Sequence, residues 1–425
     1  MPEQVEMIWE GANYGRARDR RPGRFRAFVP DCIAEWDGVL SGPAADAVAR
    51  ATGSLAALDA SSSIHDLEVV AGPLLRAEAV GSSFIEGLRS SQKKIALATF
   101  DPKGASETAL AVLGNIQAME RAIEIACAGQ GFTVDSLLDL HRVLLTPTTD
   151  ARLGGVVRRE QNWVGGRGNT PLNADFVPPP FDRVPALLND LIAFISRSDL
   201  PAVAQAAVTH AQFETIHPFL DGNGRAGRCL IHVVLRRREA VRLFVPPVSI
   251  VLARNSRQYI GGLTDFRSGY TDQWVGTFAD ALVSSCEIAT ELSTTLDQLV
   301  AELTDRAGPM RKDAVGRKII AGLPGQPIVS ADSVAKRYSV SEVAARVALN
   351  HLEKTEVLQP VRVGSQRNRE WTCDALFKVM EAFEAYVTRP TDGSTAGPFV
   401  SPTWPSPSTA AETVIPPEWN PLPKP

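Results

Sequence analysis

The 425-residue sequence has no run of about 20 apolar residues, so no membrane-spanning helix is predicted. Its segment from Cys229 to Leu235 is broken by His232 and closed by three arginines, which reads as a core helix. The start, Met1-Pro-Glu-Gln-Val-Glu6, is acidic and has no apolar stretch behind a basic one. No export signal is therefore expected, and the reading is cytoplasmic. Cysteine is scarce: Cys32, Cys127, Cys229, Cys286 and Cys373 are scattered, with no Cys-x-x-Cys pair. That spacing argues for reduced thiols and against a disulfide framework or a zinc site. Basic charge is not in excess either, with 44 Lys and Arg against 48 Asp and Glu and a net charge of −4. A chain-wide nucleic-acid surface is thereby excluded, though a local patch is not. No G-x-x-x-x-G-K-[S/T] occurs, which removes a P-loop.

What is present is an ordinary globular composition, 44% hydrophobic and 22% charged, long enough for two or three domains. Residues 1–60 hold a basic, poorly periodic stretch from Arg16 to Arg26 and then an Ala-rich helical one. Residues 61–292 are mostly helical in pattern and form the expected core. The exception is Asn162 to Pro180, rich in Gly, Asn and Pro around Trp163-Val164 and Phe176-Val177, which predicts a short hairpin or extended flap. Residues 312–387 have a different texture and read as a second domain. Ten of the 30 prolines follow Thr388, so residues 388–425 read as a disordered tail.

Chemistry concentrates between Val203 and Leu235. Val203, Ala206, Ala207, His210 and Phe213 recur at helical spacing, predicting an amphipathic helix that ends near Ile216. Pro218 disfavours the α conformation at His217 and pushes it into a loop. Asp221-Gly222-Asn223-Gly224-Arg225 follows, a run whose Gly and Asn accept positive φ and can turn successive N–H groups into one concavity. A second helix from about Ala226 would add its free N-terminal amides. Arg225 and Arg228 fall in its first turn, where cations oppose the helix dipole and a bound polyanion would compensate. Gly222-x-Gly224-x-x-Gly227 also fits the dinucleotide fingerprint, but a helix precedes it and Arg242 stands where an acid is needed, so that match is rejected. The remaining groups suit phosphate-ester chemistry: His217 as general base, and Asp221 as a carboxylate that can hold Mg²⁺ on phosphates.

His217-Pro-Phe-Leu-Asp221-Gly-Asn-Gly-Arg225-Ala-Gly-Arg228 resembles the full signature of the Fic family, H-x-F-x-D/E-G-N-G-R-x-x-R. Flanking likeness includes Leu140-His141, Gly155-x-x-Arg158-x-x-Gln161-Asn162-Trp163, Asn173 to Pro180, Asn255 to Tyr259, and Trp274. The resemblance covers about residues 60–290 and implies a mainly α fold with a β-hairpin flap. It also implies transfer of AMP from ATP to a hydroxyl side chain of a target protein, releasing pyrophosphate. In that scheme His217 deprotonates the hydroxyl, Phe219 anchors the loop, and Asp221 holds Mg²⁺. Gly222, Asn223 and Gly224, with Ala226 and Gly227 behind them, cradle the phosphates, and Arg225 and Arg228 neutralise them. Tyr259 lies where the family contacts the nucleotide, although Ile260 replaces a second Tyr often found there. The flap would take the target as an added strand.

Upstream, Ser82-Ser-Phe-Ile-Glu86-Gly87 resembles the family's inhibitory helix pattern, S/T-x-x-x-E-G/N. Pro73 suits a helix start and Gly87 a stop, so Glu86 would project from a helix end and occupy Arg228 in place of the γ-phosphate. In the C-terminal region Ser333 to Leu352 reads as helix, turn, helix, with Ser341 as N-cap and Val343, Val347, Leu349 and Leu352 available to the core. Val361 to Trp371 reads as a two-stranded wing, together resembling a winged helix-turn-helix domain. Glu342, Arg346 and Asn350, with Arg362, Arg367 and Arg369, are its candidate DNA contacts, and a structural or protein-binding winged helix with a solvated charged face is the equal alternative. His65, His210, His232 and His351 read as packing or surface residues. The expected function is thus an autoinhibited protein adenylyltransferase. The alternatives are another phosphate-containing donor, removal of AMP, or a DNA-binding regulator that uses the nucleotide site as a sensor. Self-modification and a homodimer are both compatible with the resemblance.

Overall fold

The computed structural model describes residues 2–12, 16–17, 19–60, 67–166, 168–361 and 369–387. The tail after Thr388, His65, and the wing residues Arg362 and Arg367 lie outside the described residues. The described chain is mainly helical. It opens with an antiparallel hairpin, β1 (Glu3–Trp9) and β2 (Gly23–Val29), followed by α1 (Gly42–Asp59), α2 (Leu67–Ile85) and α3 (Gln92–Phe100). Next come α4 (Glu107–Cys127), α5 (Val134–Leu145), α6 (Val184–Ser196), α7 (Ala202–Ile216), α8 (Asn223–Arg237), α9 (Val248–Arg254) and α10 (Ser256–Arg267). The long α11 (Thr271–Ala307) leads into α12 (Val315–Gly322), β3 (Ile328–Ser330), α13 (Ala331–Tyr338), α14 (Glu342–Lys354), β4 (Gln359–Pro360), β5 (Glu370–Thr372) and α15 (Asp374–Val387).

Local chemistry accounts for many of the ends. Ser106 accepts from the Ala109 amide at the start of α4, and Thr133 and Ser136 form a capping box on α5. Pro43 sits in the first turn of α1, where its missing N–H costs nothing. Pro73 does not start a helix as expected: it lies inside α2, which begins at Leu67. Burial of Leu74, Ala77 and Ala79 against the core outweighs the one amide that proline removes.

One continuous apolar cluster runs from α1 to α15. The first 60 residues therefore do not stand outside the core, since Ala47, Ala51 and Leu55 of α1 pack in the same cluster as Leu282, Ala289 and Leu296 of α11. Nor does the core stop at Leu292, which falls in mid-helix in α11. At the centre lies α7, buried along its length from Val203 to Ile216. The expected amphipathic character is thus corrected: Gln205, Thr209, Gln212 and Glu214 are inside, and Gln205 and Gln212 donate to the backbone carbonyls of Phe194 and Asp31.

The sequence reading missed β1 and β2. Val5 pairs with Ala27, Met7 with Phe25 and Trp9 with Gly23, so the apolar residues alternate inward at period two. Phe25 and Ala27 pack on Val177 of the flap, Phe28 donates its amide to the Val177 carbonyl, and Trp9 meets Trp163 edge-on at 5.5 Å. Among the described residues the flap closes through one antiparallel bridge, Val164 to Phe176. In the C-terminal region the strands are ordered β3-β5-β4 beside α13 and α14, and Ser341 caps α14 as expected. Leu349 and Leu352 are buried, but Val343 and Val347 are 74% and 65% exposed, contrary to expectation. They share the outer face of α14 with Glu342, Arg346 and Asn350, while Ala345 turns inward with the leucines. Among the described residues, no helix is long and apolar enough to cross a membrane.

Candidate functional site

The segment between α7 and α8 brings the candidate residues to one place. His217 follows α7 in the left-handed region, at φ 49°. For a residue with a Cβ this conformation is unfavourable and has to be held by its surroundings. Buried Arg158 holds it: Nε donates to the His217 carbonyl at 3.0 Å, and the Arg158 amide donates to the Pro218 carbonyl at 2.9 Å. Burial lowers the Arg158 guanidinium to about 10.

Phe219 is fully buried and fixes the loop from below. Asn223 clamps its backbone twice, accepting from the Phe219 amide and donating to the Phe219 carbonyl, both at 2.8 Å. His141 stacks on the Phe219 ring with centroids 3.6 Å apart. Its Nδ1 accepts from the Gly155 amide at 3.0 Å, so its Nε2 carries the proton and donates to the Asp221 carbonyl at 2.9 Å. Burial pushes the His141 imidazole down to about 4, consistent with a neutral ring of one tautomer. The side chain of Asn223 is thus spent on the loop, and only main-chain groups remain to face a ligand from that position.

Gly222 turns the chain at φ 77° and leads into α8. The first intrahelical bond is from the Ala226 amide to the Gly222 carbonyl, so the amides of Asn223, Gly224 and Arg225 precede it at the helix mouth. The expected start at Ala226 is therefore three residues late, because Asn223 already has helical geometry. Arg225 is 5% exposed and donates from Nη2 to Asp221 Oδ2 at 3.1 Å. Its Nε and Nη1 are buried with no hydrogen-bond partner. The Asp221 side chain is half exposed.

Arg228 is engaged on every side. Nε donates to Ser82 Oγ at 2.8 Å, and Nη2 donates to the Ser82 carbonyl at 2.9 Å and to Glu86 Oε1 at 2.7 Å. Burial acts to push the Glu86 carboxyl up, but Arg228, with help from Arg225 and His217, holds it below the ordinary carboxylate range. Glu86 follows the last residue of α2 and lies directly over the α8 mouth. A Cβ on Gly224 would sit 2.0 Å from Glu86 Oε1, so a larger residue there would push the carboxylate aside. Tyr259 is not on an open wall: it is buried, with its hydroxyl 2.9 Å from His210 Nε2 and 3.5 Å from Arg228 Nη1.

His217 is 18% exposed at the side chain, and burial lowers its imidazole to about 4. Above it the flap is braced by Gln161, which donates to the Pro178 carbonyl, and by the Arg267 guanidinium 4.1 Å over the Phe176 ring. Asn162 ties flap to loop through the Phe219 carbonyl at 2.9 Å. The sequence reading missed Glu214, whose Oε2 lies 4.0 Å from His217 Nδ1. It also missed Glu78, which hydrogen-bonds His232 in the core at 2.9 Å.

Residues 131–235 match the Fic/DOC family, and residues 45–124 match the Fic/DOC family N-terminal model. The chain is 34% identical over 130 residues to "Protein adenylyltransferase Fic" of Drosophila willistoni, a match covering 30% of this chain and 23% of that protein. A "Probable protein adenylyltransferase" of Aquifex aeolicus is 33% identical over 97 residues, covering 23% of this chain and 28% of that one. The matches thus span about a quarter of the length of these curated relatives. Among solved structures, a Fic family protein from Desulfovibrio desulfuricans G20 superposes with a TM-score of 0.50 at 22% identity, covering 79% of this chain and 97% of the other. That likeness extends the shared fold well beyond the signature loop. Over residues 45–124 and 131–235 the chain thus carries the sequence of the Fic/DOC family.

Proposed function

We propose that this protein transfers AMP from ATP to a Ser, Thr or Tyr hydroxyl of a target protein and is held back by its own Glu86. The observation that carries the reading is Arg225: a buried guanidinium with two unpartnered nitrogens, beside the free amides of α8 and within reach of the His217 loop. Unspent buried donors call for an anion, and a triphosphate supplies one with several oxygens. His217 would take the hydroxyl proton, and the oxygen would attack the α-phosphorus as the bond to pyrophosphate breaks. Gly222, Asn223, Gly224, Ala226 and Gly227 would line the cradle through the main chain. Arg228 would meet the γ-phosphate once Glu86 leaves, with Tyr259 steadying it from behind. The name adenylyltransferase carried by the curated relatives supports the same chemistry.

Magnesium fits this set in one way. Among the described residues there is no cluster of three His, Cys, Asp or Glu side chains that could enclose an ion. Asp221 offers a single half-exposed carboxylate at the rim, and Mg²⁺ commonly takes one carboxylate and draws its remaining ligands from phosphate and water. Bound there, it would neutralise phosphate charge; Arg225 keeps the Asp221 side chain turned toward the cradle.

The test is transfer from α-labelled ATP with Mg²⁺ to the protein itself and to lysate proteins. Glu86→Gly is expected to raise incorporation above wild type, and His217→Ala to abolish it in either background. Labelling that survives His217→Ala overturns the assignment of the base.

A further inference from the structure

Glu214 sits on α7 one turn before His217 and is 9% exposed. Its Oε1 is buried without a hydrogen-bond partner, and so is His217 Nδ1. Oε2 and Nδ1 face each other across 4.0 Å. A buried carboxylate oxygen left unpaired is costly, so its presence asks for a reason. Room has been made for it on the facing helix: a Cβ on Gly227 would sit 2.7 Å from Glu214 Oε1.

We infer that Glu214 is a positioning residue for His217: it holds the imidazole as the Nδ1–H tautomer, leaving Nε2 unprotonated toward the incoming hydroxyl. This rests on the transfer reading above. In the reaction the hydroxyl O–H bond breaks, its proton goes to Nε2, and the oxygen bonds the α-phosphorus as the pyrophosphate bond opens. The imidazolium so formed lies beside the Glu214 carboxylate until it returns the proton to water. Burial lowers His217 while the Glu214 main chain acts to raise it, and an ionised carboxylate beside the imidazolium would favour the charged form further.

The groups around Glu214 are Arg228 of α8, Glu86 at the end of α2, Arg267 and Tyr259 of α10, and His210 and His217. Burial pushes the carboxyl up to about 7; Arg228 and Arg267 pull it down, and Glu86 adds to the rise. His217 and His210 titrate lower, at about 4 and about 3, and Tyr259 is pushed up out of the neutral range. With Glu86 in place Glu214 is the group in this cluster that changes charge near neutrality, and Glu86→Gly, which removes one of the charges that raise it, moves its ionisation downward. Transfer should rise with pH as it ionises.

Two measurements on Glu86→Gly protein test this. Nitrogen-15 histidine NMR without nucleotide should show His217 as the Nδ1–H tautomer. Glu214→Gln, whose amide oxygen still accepts, should keep that tautomer, and Glu214→Ala should mix it. In labelled transfer, Glu214→Gln should lower kcat about 10- to 100-fold, leave KM for ATP unchanged, and remove the rise with pH. An Nε2–H tautomer in the Glu86→Gly protein overturns the proposal. So does an unaltered pH profile in Glu214→Gln. The NMR result needs no turnover, so the predicted tautomer in a protein that transfers nothing counts against the transferase reading while supporting the positioning role.

Discussion

Two carboxylates fasten α2 to α8, and they differ in almost everything but the helices they join. Glu78 is fully buried, accepts from the Ser249 amide at 2.7 Å and from its hydroxyl at 2.5 Å, and meets His232 Nε2 at 2.9 Å. Glu86, eight residues on, is 39% exposed at the side chain and accepts its hydrogen bond from Arg228. One contact lies among core residues with no route for water to replace it. The other lies beyond the last turn of α2, where solvent or a phosphate can take its place. A releasable inhibitor needs both: a fixed point that keeps the helix registered, and a free end that can be displaced.

Breaking the fixed point should have the largest effect on the fold. Glu78→Ala strips buried His232 and Ser249 of their shared acceptor, and we expect a loss of about 3–5 kcal/mol of stability, read from denaturant midpoints. Breaking the free end should barely touch stability, by about 0–1 kcal/mol, because the pair is partly solvent-screened and Arg228 keeps both Ser82 contacts. Its effect falls on activity: Glu86→Gly should raise labelled transfer on the order of 10-fold or more, the factor that freeing an ion-paired arginine for phosphate is worth. If Glu86→Gly destabilised as much as Glu78→Ala, the two contacts would not be different in kind. Ser82→Ala is intermediate. It leaves Arg228 Nε without its hydroxyl acceptor, so a cost of about 1–3 kcal/mol is expected, with a severalfold rise in transfer as the guanidinium loosens.

The same contrast marks what could be read in the sequence. The His217–Arg228 loop was legible because its residues are contiguous and each breaks a local rule: a helix end before proline, glycines in a turn, cations at a helix N-terminus. The Glu78–His232 pair was not, since the two residues are 154 positions apart and each reads alone as an ordinary helix residue. Burial all round α7 was hidden for a related reason. Gln205, Gln212 and Glu214 look like a solvent face until other helices cover them. The β1–β2 hairpin was masked by composition, because Arg24 and Arg26 on its outer face outweighed the inward alternation of Phe25 and Ala27. On α14 the spacing allowed two faces, and only packing decided that Val343 and Val347 turn out.

The smallest expected effect is also the sharpest check on the free end. Glu86 has an ordinary carboxyl value of 4.5 that Arg228 and its neighbours lower against the pull of burial. A depressed carboxyl contributes its stabilisation fully above its unfolded value and loses it only as pH falls through the lower folded one. The Glu86–Arg228 contact should therefore be insensitive to pH across neutrality. Transfer itself is a poor probe, because Glu214 titrates in that range. Binding of a non-hydrolysable ATP analogue by calorimetry avoids this. The ratio of its affinity for Glu86→Gly to that for wild type should stay constant within about twofold from pH 6 to 9. It should begin to converge toward one only in acid, where the wild-type carboxylate takes up a proton and lets go of the arginine. A ratio that slid between pH 6 and 8 would tie the contact to Glu214, the neighbour of Arg228 and Glu86 that titrates there, and the barrier to nucleotide would then rest on more than a carboxylate holding a guanidinium.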